Sequence, residues 1–237
     1  MNPDHPRTDL GRRAAAELVG TAFLVAAVIG SGIAASRLSP DDVGLQLLEN
    51  SIATGAVLVA LILALQPVSA AFNPVVTLVE RGFGLITTRT AAVLIAAQVM
   101  GGITGVVVAN LMFDLDAITI ATHDRTGAHL LLSEVVATIG LVVIIFGAVR
   151  TGRTDTIAFA VGGYITAAYW FTSSTSFANP AVTIARMFSD TFAGISPSSV
   201  PWFVLAQLAG GLLAALLVRY LYPITAAPDF TGIQETS

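Results

Sequence analysis

Two copies of one short Asn-Pro motif are the residues of this 237-residue chain best placed to do chemistry, one in each half. Asn is a favoured helix N-cap, and Pro fits the first helical position because an N–H there would lack a partner anyway. A helix N-terminus carries free N–H donors and about half a positive charge. The pattern therefore predicts two helix starts that bind polar groups and repel cations. The motifs comprise Asn73, Pro74 and Val75, and Asn179, Pro180 and Ala181.

The composition indicates a membrane environment. The chain is 55% hydrophobic and 11% charged, against about 25% charged residues in soluble domains. Apolar runs long enough to span a bilayer recur along it; they cover residues 14–35, 45–65, 90–111, 130–149, 156–171 and 200–221. The net charge of -4 without a basic cluster predicts no nucleic-acid partner. The absence of cysteine excludes disulfides and thiolate metal sites, and we expect no metal, no cofactor and no enzymatic activity.

An internal repeat organises the chain as a single membrane domain over residues 1–223. Residues 17–21 (Glu-Leu-Val-Gly-Thr) match 134–138 (Glu-Val-Val-Ala-Thr), and 97–102 (Ala-Gln-Val-Met-Gly-Gly) match 206–211 (Ala-Gln-Leu-Ala-Gly-Gly). The repeats cover about 12–111 and 130–222. Because each holds three spans, an odd number, the second copy enters the membrane upside down, which predicts an inverted repeat.

Each motif opens a segment too short to cross the bilayer. Residues 73–82 and 179–189 are each about ten residues, or about 15 Å of helix, half the hydrocarbon thickness. We interpret both as half-helices that enter from opposite faces and meet near the midplane, where irregular backbone must line a cavity or be covered by protein. The alternative, a capped turn in a loop, fits a lone copy better than two copies at equivalent positions.

These residues resemble the aquaporin and aquaglyceroporin family, also called the major intrinsic proteins, from about residue 12 to 222. The resemblance implies an all-α fold of six transmembrane helices plus two re-entrant half-helices. It also implies an hourglass pore in each subunit of a homotetramer, with Asn73 and Asn179 donating carboxamide hydrogen bonds to solute at the pore centre. Water and small neutral solutes, glycerol among them, would be its partners in the lipid membrane.

The sequence departs from the family pattern at its selectivity filter. Family members usually carry Arg directly after the second motif, and this chain has Val182 there. Arg186 lies about 6 Å further along that helix, and we interpret it as pairing locally. The other filter positions are predicted to be small or weakly polar; they are Thr54, Ala167 or Ala168, and Ser176 or Phe177. This set resembles the bacterial branch associated with arsenic detoxification, which implies a wide filter that passes neutral solutes and methylated arsenicals.

Two intramembrane carboxylates leave a second function class open. Glu17 and Glu134 occupy equivalent repeat positions, which favours a structural role in binding backbone N–H groups of the irregular loops. A proton relay through them would make the protein an inverted-repeat, proton-coupled secondary transporter. A cluster around His123 and Arg125 is interpreted as a solvated loop rather than a metal site or pH sensor.

The arginines predict the orientation. Eight of the eleven basic residues, all Arg, fall on one side of a six-span arrangement. Three fall on the other side: Arg37, Arg125 and Arg186. The positive-inside rule therefore predicts a multi-pass protein of the inner (plasma) membrane with both termini in the cytoplasm. The polar tail 224–237 is predicted to be disordered.

Overall fold

A computed structural model describes residues 9–223 of the chain. The predicted tail 224–237 lies outside the described residues. The elements are α1 (Leu10–Leu38), α2 (Val43–Leu65), α3 (Pro74–Gly82), α4 (Thr88–Met112), α5 (Ala128–Arg150), a 3-10 turn (Thr154–Thr156), α6 (Ile157–Phe171), α7 (Pro180–Arg186) and α8 (Val200–Leu221). The described residues contain helices and loops and no strand, in agreement with the predicted all-α fold.

Five helices, α1, α2, α4, α5 and α8, are long and apolar enough to cross a membrane. The sixth predicted span, α6, is 15 residues long, or about 22 Å of helix. It is preceded by the 3-10 turn and followed by the extended segment that leads into α7. The half-helix α7 ends at Arg186, three residues before the predicted end.

The two halves pack in the same way. Helix α1 packs along α4, and α5 packs along α8, while α2 contacts α6 across the halves. In both long helix pairs, α1 with α4 and α5 with α8, the axes approach closely because glycines of one helix face the backbone of the other. A Cβ at Gly101 would lie 2.2 Å from the Leu18 carbonyl oxygen, and one at Gly210 would lie 2.7 Å from the Val135 carbonyl oxygen. Both crossings therefore bring the helix that carries the buried glutamate against its glycine-bearing partner.

Both half-helices begin at the motif asparagine, as predicted. The Asn73 side chain accepts a hydrogen bond from the Val75 N–H at 2.9 Å, and Asn179 accepts one from the Ala181 N–H at 3.0 Å. In both helices Pro occupies the first turn. The two half-helices contact each other, and each is buried against the long helices of both repeats. Their starts meet at a shared centre, where each motif asparagine bonds to the residue before the other motif.

Candidate functional site

The two motif asparagines are joined by reciprocal hydrogen bonds at the centre of the protein. Asn73 Nδ2 donates to the Ala178 carbonyl at 2.7 Å, and Asn179 Nδ2 donates to the Phe72 carbonyl at 2.7 Å. Phe72 and Ala178 each have a φ of 47°, a left-handed conformation that is uncommon outside glycine. This backbone turn aims both carbonyls across the repeat boundary. Since a carboxamide nitrogen carries two N–H donors, each asparagine keeps one N–H for another acceptor.

A buried carboxylate holds the strained backbone of the first repeat. Glu17, which is fully buried, accepts hydrogen bonds from the Ala71 N–H at 2.9 Å and the Phe72 N–H at 2.7 Å. It also accepts from the Ser69 hydroxyl at 2.5 Å and from Gln98 Nε2 at 2.8 Å. Four donors thus converge on one carboxylate, which offsets the cost of burying its charge.

The second repeat reproduces this arrangement. Glu134, also fully buried, accepts from the Phe177 N–H and the Ala178 N–H, both at 2.9 Å, and from Gln207 Nε2 at 2.6 Å. Gln207 Nε2 also lies 2.8 Å from the Thr183 hydroxyl, which donates to the Asn179 carbonyl. The first repeat has the same link through Gln98 and its threonine. Each network ties two long helices of its repeat, one with the glutamate and one with the glutamine, to the half-helix start.

A cavity of about 650 Å³ passes the two asparagines. One end is lined by Arg13 and by Glu80, near the end of α3, and we call it the α3 mouth. The opposite end is lined by Arg186, the last residue of α7, and we call it the α7 mouth. Asn73 and Asn179 lie on the wall between the two mouths. Most of the remaining wall is apolar, and it includes Leu24, Val28, Leu58, Ile62, Leu141 and Ile145.

The structure corrects the predicted register of α6. Ala168 is fully buried and Ala167 faces outward, and neither lines the cavity. Tyr169 lies on the cavity wall instead, with its hydroxyl 3.1 Å from the Thr54 hydroxyl. The prediction was wrong by one or two residues because each residue turns a helix by about 100° and the length of the following loop was ambiguous. The remaining predicted filter residues line the cavity at this end: Thr54, Ser176, Phe177 and Val182.

Arg186 has a larger place in the site than the sequence indicated. Its Nε donates to the Ala193 carbonyl, which is the local pairing that we expected. The side chain is nevertheless only 2% exposed, and it lines the cavity with its guanidinium 3.4 Å from the centre of the Phe177 ring. Arg186, one helical turn beyond Val182, therefore places a positive charge at the α7 mouth.

Arg125 reaches the same place from the loop between α4 and α5, which the sequence predicts to be solvated. Its Nε donates to the Gly194 carbonyl at 3.0 Å, and its guanidinium lies 5.0 Å from the centre of the Phe177 ring. Burial lowers the pKa of Arg125 to about 10, against partial compensation by Glu134, so the side chain stays charged at neutral pH. No repeat or motif marks this residue, so the sequence offered no signal for it.

An inverted repeat with two opposed half-helices around one cavity defines a class of membrane pore proteins, and comparisons with known proteins agree. The model of the family described as "Major intrinsic protein" matches residues 5–157 and 149–236. This chain belongs to the major intrinsic protein family.

Relatives and a solved structure extend this assignment. The chain is 51% identical over 214 residues to "Aquaglyceroporin AqpS" of Rhizobium meliloti, with 90% of this chain and 91% of the relative covered. It is 27% identical over 217 residues to "Probable aquaporin TIP2-2" of Oryza sativa, with 87% and 86% covered. The fold is similar to the X-ray structure of the aquaglyceroporin from Plasmodium falciparum, with a TM-score of 0.70, 16% identity, and 91% and 97% of the two chains covered.

Proposed function

We propose that this chain forms a passive transmembrane channel for water and small uncharged solutes of glycerol size. The observation that carries the proposal is the pair of asparagines, Asn73 and Asn179, on the wall of a cavity between two mouths. Each keeps one N–H donor after its bond to the opposite repeat. A hydroxyl or water oxygen at the centre would accept from both. The similarity to a protein named an aquaglyceroporin supports the same solute class.

The half-helices account for the exclusion of cations. Two helix N-termini at the centre act together like about one positive charge. At 4 Å and an effective dielectric constant near 20, this repels a monovalent cation by about 4 kcal/mol, or about a thousandfold in occupancy. Loss of the cation's hydration adds a further cost in the largely apolar cavity. A channel without the usual filter arginine therefore still rejects cations.

The α7 mouth sets the solute range in this proposal. Thr54, Tyr169 and Val182 line the cavity there, and Val182 is much smaller than the arginine usual at that position in the family. Ser176 and Phe177 complete the filter. Glycerol and similarly compact solutes, including uncharged methylated arsenicals, are the candidates for passage.

Proton-coupled transport has less support. Glu17 and Glu134 are fully buried and are absent from the cavity wall. Each carboxylate accepts hydrogen bonds from two backbone N–H groups and a glutamine. These bonds occupy the oxygens that a relay would protonate.

The proposed setting is the inner membrane, with both termini in the cytoplasm. The arginine distribution predicts this orientation, and it makes the α7 mouth extracellular and the α3 mouth cytoplasmic. We further propose a homotetramer with one pore in each subunit. Large apolar side chains exposed on the long helices, among them Phe23, Trp202 and Leu212, would face lipid or neighbouring subunits.

The central test uses proteoliposomes and two matched variants. Stopped-flow light scattering should show water and glycerol entry above protein-free vesicles, downhill and insensitive to a proton gradient. Asn73→Asp and Asn179→Asp replace a donor pair by a carboxylate, so we expect each to reduce flux at least tenfold in folded protein. Folded Asn179→Asp protein with unchanged flux would remove the asparagines from the mechanism, and accumulation of glycerol against its gradient would move the protein to the transporter class.

A further inference from the structure

The α7 mouth carries two guanidiniums that the pore scaffold leaves largely unused. Arg186 is 2% exposed and lies on the cavity wall. Within residues 9–223 its hydrogen bond is the one from Nε to the Ala193 carbonyl, and that of the Arg125 guanidinium runs from Nε to the Gly194 carbonyl. Each guanidinium has five N–H donors. Most donors of both groups are therefore free to bind a ligand.

The two charges are held together by one aromatic ring. Both guanidiniums lie close to Phe177, at 3.4 Å for Arg186 and 5.0 Å for Arg125, and a ring within about 6 Å attracts a cation. The Phe177 ring packs in turn on Phe203 with centroids 5.2 Å apart. Two like charges are thus fixed as neighbours, although they repel each other.

A second, smaller cavity of about 170 Å³ is lined by both arginines, together with Asn50 and His123. Arg186 belongs to the walls of both this cavity and the main one. A solute that moves between the two cavities therefore passes the Arg186 guanidinium, with Arg125 beside it.

The carboxylates around the mouth are bound elsewhere. Glu134 is held by backbone N–H groups before α7 and by a glutamine. Asp190 accepts from the Thr122 N–H at 2.8 Å, and Asp124 accepts from the Ser199 hydroxyl at 3.0 Å. Within residues 9–223 none of these carboxylates accepts a hydrogen bond from either guanidinium, so both keep donors for a ligand.

We propose that Arg186 and Arg125 form an anion-binding site at the α7 mouth that takes a small, singly charged oxyanion. Two guanidinium forks match the paired oxygens of such an anion, and charge-assisted bonds of this kind are the strong ones. The proposal rests on the proposed pore, since the main cavity leads to Arg186. It adds to the pore a binding site for anions that carry two or three oxygens on one centre.

The test compares two solutes of similar shape and different charge. Methanesulfonate is a permanently charged oxyanion, and dimethyl sulfone is a neutral analogue with a similar tetrahedral centre. Both have methyl protons that saturation-transfer difference NMR detects on detergent-purified protein. We expect saturable binding of methanesulfonate that weakens as ionic strength rises, because salt screens the charges, and much weaker binding of dimethyl sulfone.

Variants assign the binding to the two arginines. Arg125→Gln and Arg186→Gln should each weaken methanesulfonate binding at least tenfold, because each removes charge-assisted bonds. Arg37→Gln is the matched control, since Arg37 is at the same end but exposed, with its guanidinium bonded to the Phe113 carbonyl. It should bind as the wild type does. If Arg186→Gln does not fold, Arg125→Gln decides the question.

Two outcomes would overturn the anion site: equal binding of the two solutes by the wild type, or unchanged methanesulfonate binding in folded Arg125→Gln. Glycerol flux on the same preparations separates this inference from the proposed pore. Flux without methanesulfonate binding removes the anion site and keeps the channel. Binding without flux keeps the site and removes the channel.

Discussion

The two halves of this protein hold their half-helices in the same way and present different charges to the pore. In both halves a buried glutamate accepts from the backbone before the motif, and a glutamine links that glutamate to a threonine of the half-helix. At matching positions further along, α3 carries Glu80 and α7 carries Arg186, and both line the cavity.

This difference shows which positions the repeat constrains. Side chains that satisfy backbone donors are the same in both halves, because an unsatisfied buried donor is costly wherever the repeat places it. Some other side chains on the cavity wall have no such requirement, and they differ between the mouths. We therefore expect the charge at each mouth to be set by residues in which the halves differ, such as Glu80 and Arg186.

Substitutions at the buried carboxylates should have the largest effect. Glu17→Gln or Glu134→Gln places a carboxamide NH₂ among donors and removes charge-assisted bonds worth about 1.5–3 kcal/mol each. We expect both variants to lose several kcal/mol of stability and most of the folded protein, with Glu17→Gln at least as damaging because Glu17 accepts an additional bond from Ser69. Size-exclusion chromatography and thermal melting in detergent measure this effect.

A matched control is Glu49→Gln, since Glu49 is partly exposed and accepts one hydrogen bond, from the Ser39 hydroxyl. It should cost far less stability than either buried glutamate, because it puts one accepted hydrogen bond at stake and the other oxygen, Oε2, has no partner among the described residues. If Glu→Gln at one of the two buried positions costs as little stability as Glu49→Gln does, the two glutamates do not hold their half-helices equally.

The sequence predicted the part of the site that the repeat specifies. The Asn-Pro caps, the opposed half-helices and the matched glutamates follow from residue types at repeated positions. The wall at the α7 mouth was harder to predict, because a one-residue shift in α6 replaces Ala168 by Tyr169 on the cavity. Arg125 is brought to the mouth by loop packing, and no short-range pattern encodes that contact.

An arginine placed at matching wall positions of the two half-helices tests how the two mouths differ. Val182→Arg adds a guanidinium of much larger volume at the mouth that Thr54 and Tyr169 also line, one turn from Arg186, and like charges at this spacing repel. We expect glycerol flux to fall at least tenfold while water still passes. Val76→Arg puts the new charge one turn from Glu80, whose pKa is raised to about 7 by burial and by Glu17. The guanidinium favours the charged form of that carboxylate and so gains a neighbour of opposite charge.

Stopped-flow measurements on both variants give the result. The Val76→Arg protein should keep more glycerol flux and melt at a higher temperature than Val182→Arg. If Val182→Arg leaves glycerol flux intact in folded protein, or if glycerol does not cross the wild-type channel, the α7 mouth does not set the solute range.

We expect the smallest effect from substitutions behind the cavity wall, where the matching residues of the two half-helices differ in side-chain volume. Val75 in α3 stands where α7 has Ala181, and a Cβ built at Gly211 of α8 would lie 2.4 Å from Val75 Cγ1. Gly211→Ala should therefore destabilise the protein by about 1–3 kcal/mol through overpacking. Val75→Ala removes the atom that clashes, so the double variant should recover most of that loss.

The equivalent glycine of the first repeat offers no such rescue. A Cβ at Gly102 would lie 3.2 Å from the Ala181 carbonyl oxygen and 3.0 Å from the Ala185 Cβ. The first atom belongs to the backbone and the second to an alanine, so truncating a neighbouring side chain to alanine cannot relieve either contact. A double-mutant cycle on melting free energies measures the Val75–Gly211 coupling. Because both residues lie behind the cavity wall, water flux per folded channel should stay unchanged. Additive effects in the cycle would show that α3 shifts to relieve the clash and that its position is not fixed by this contact.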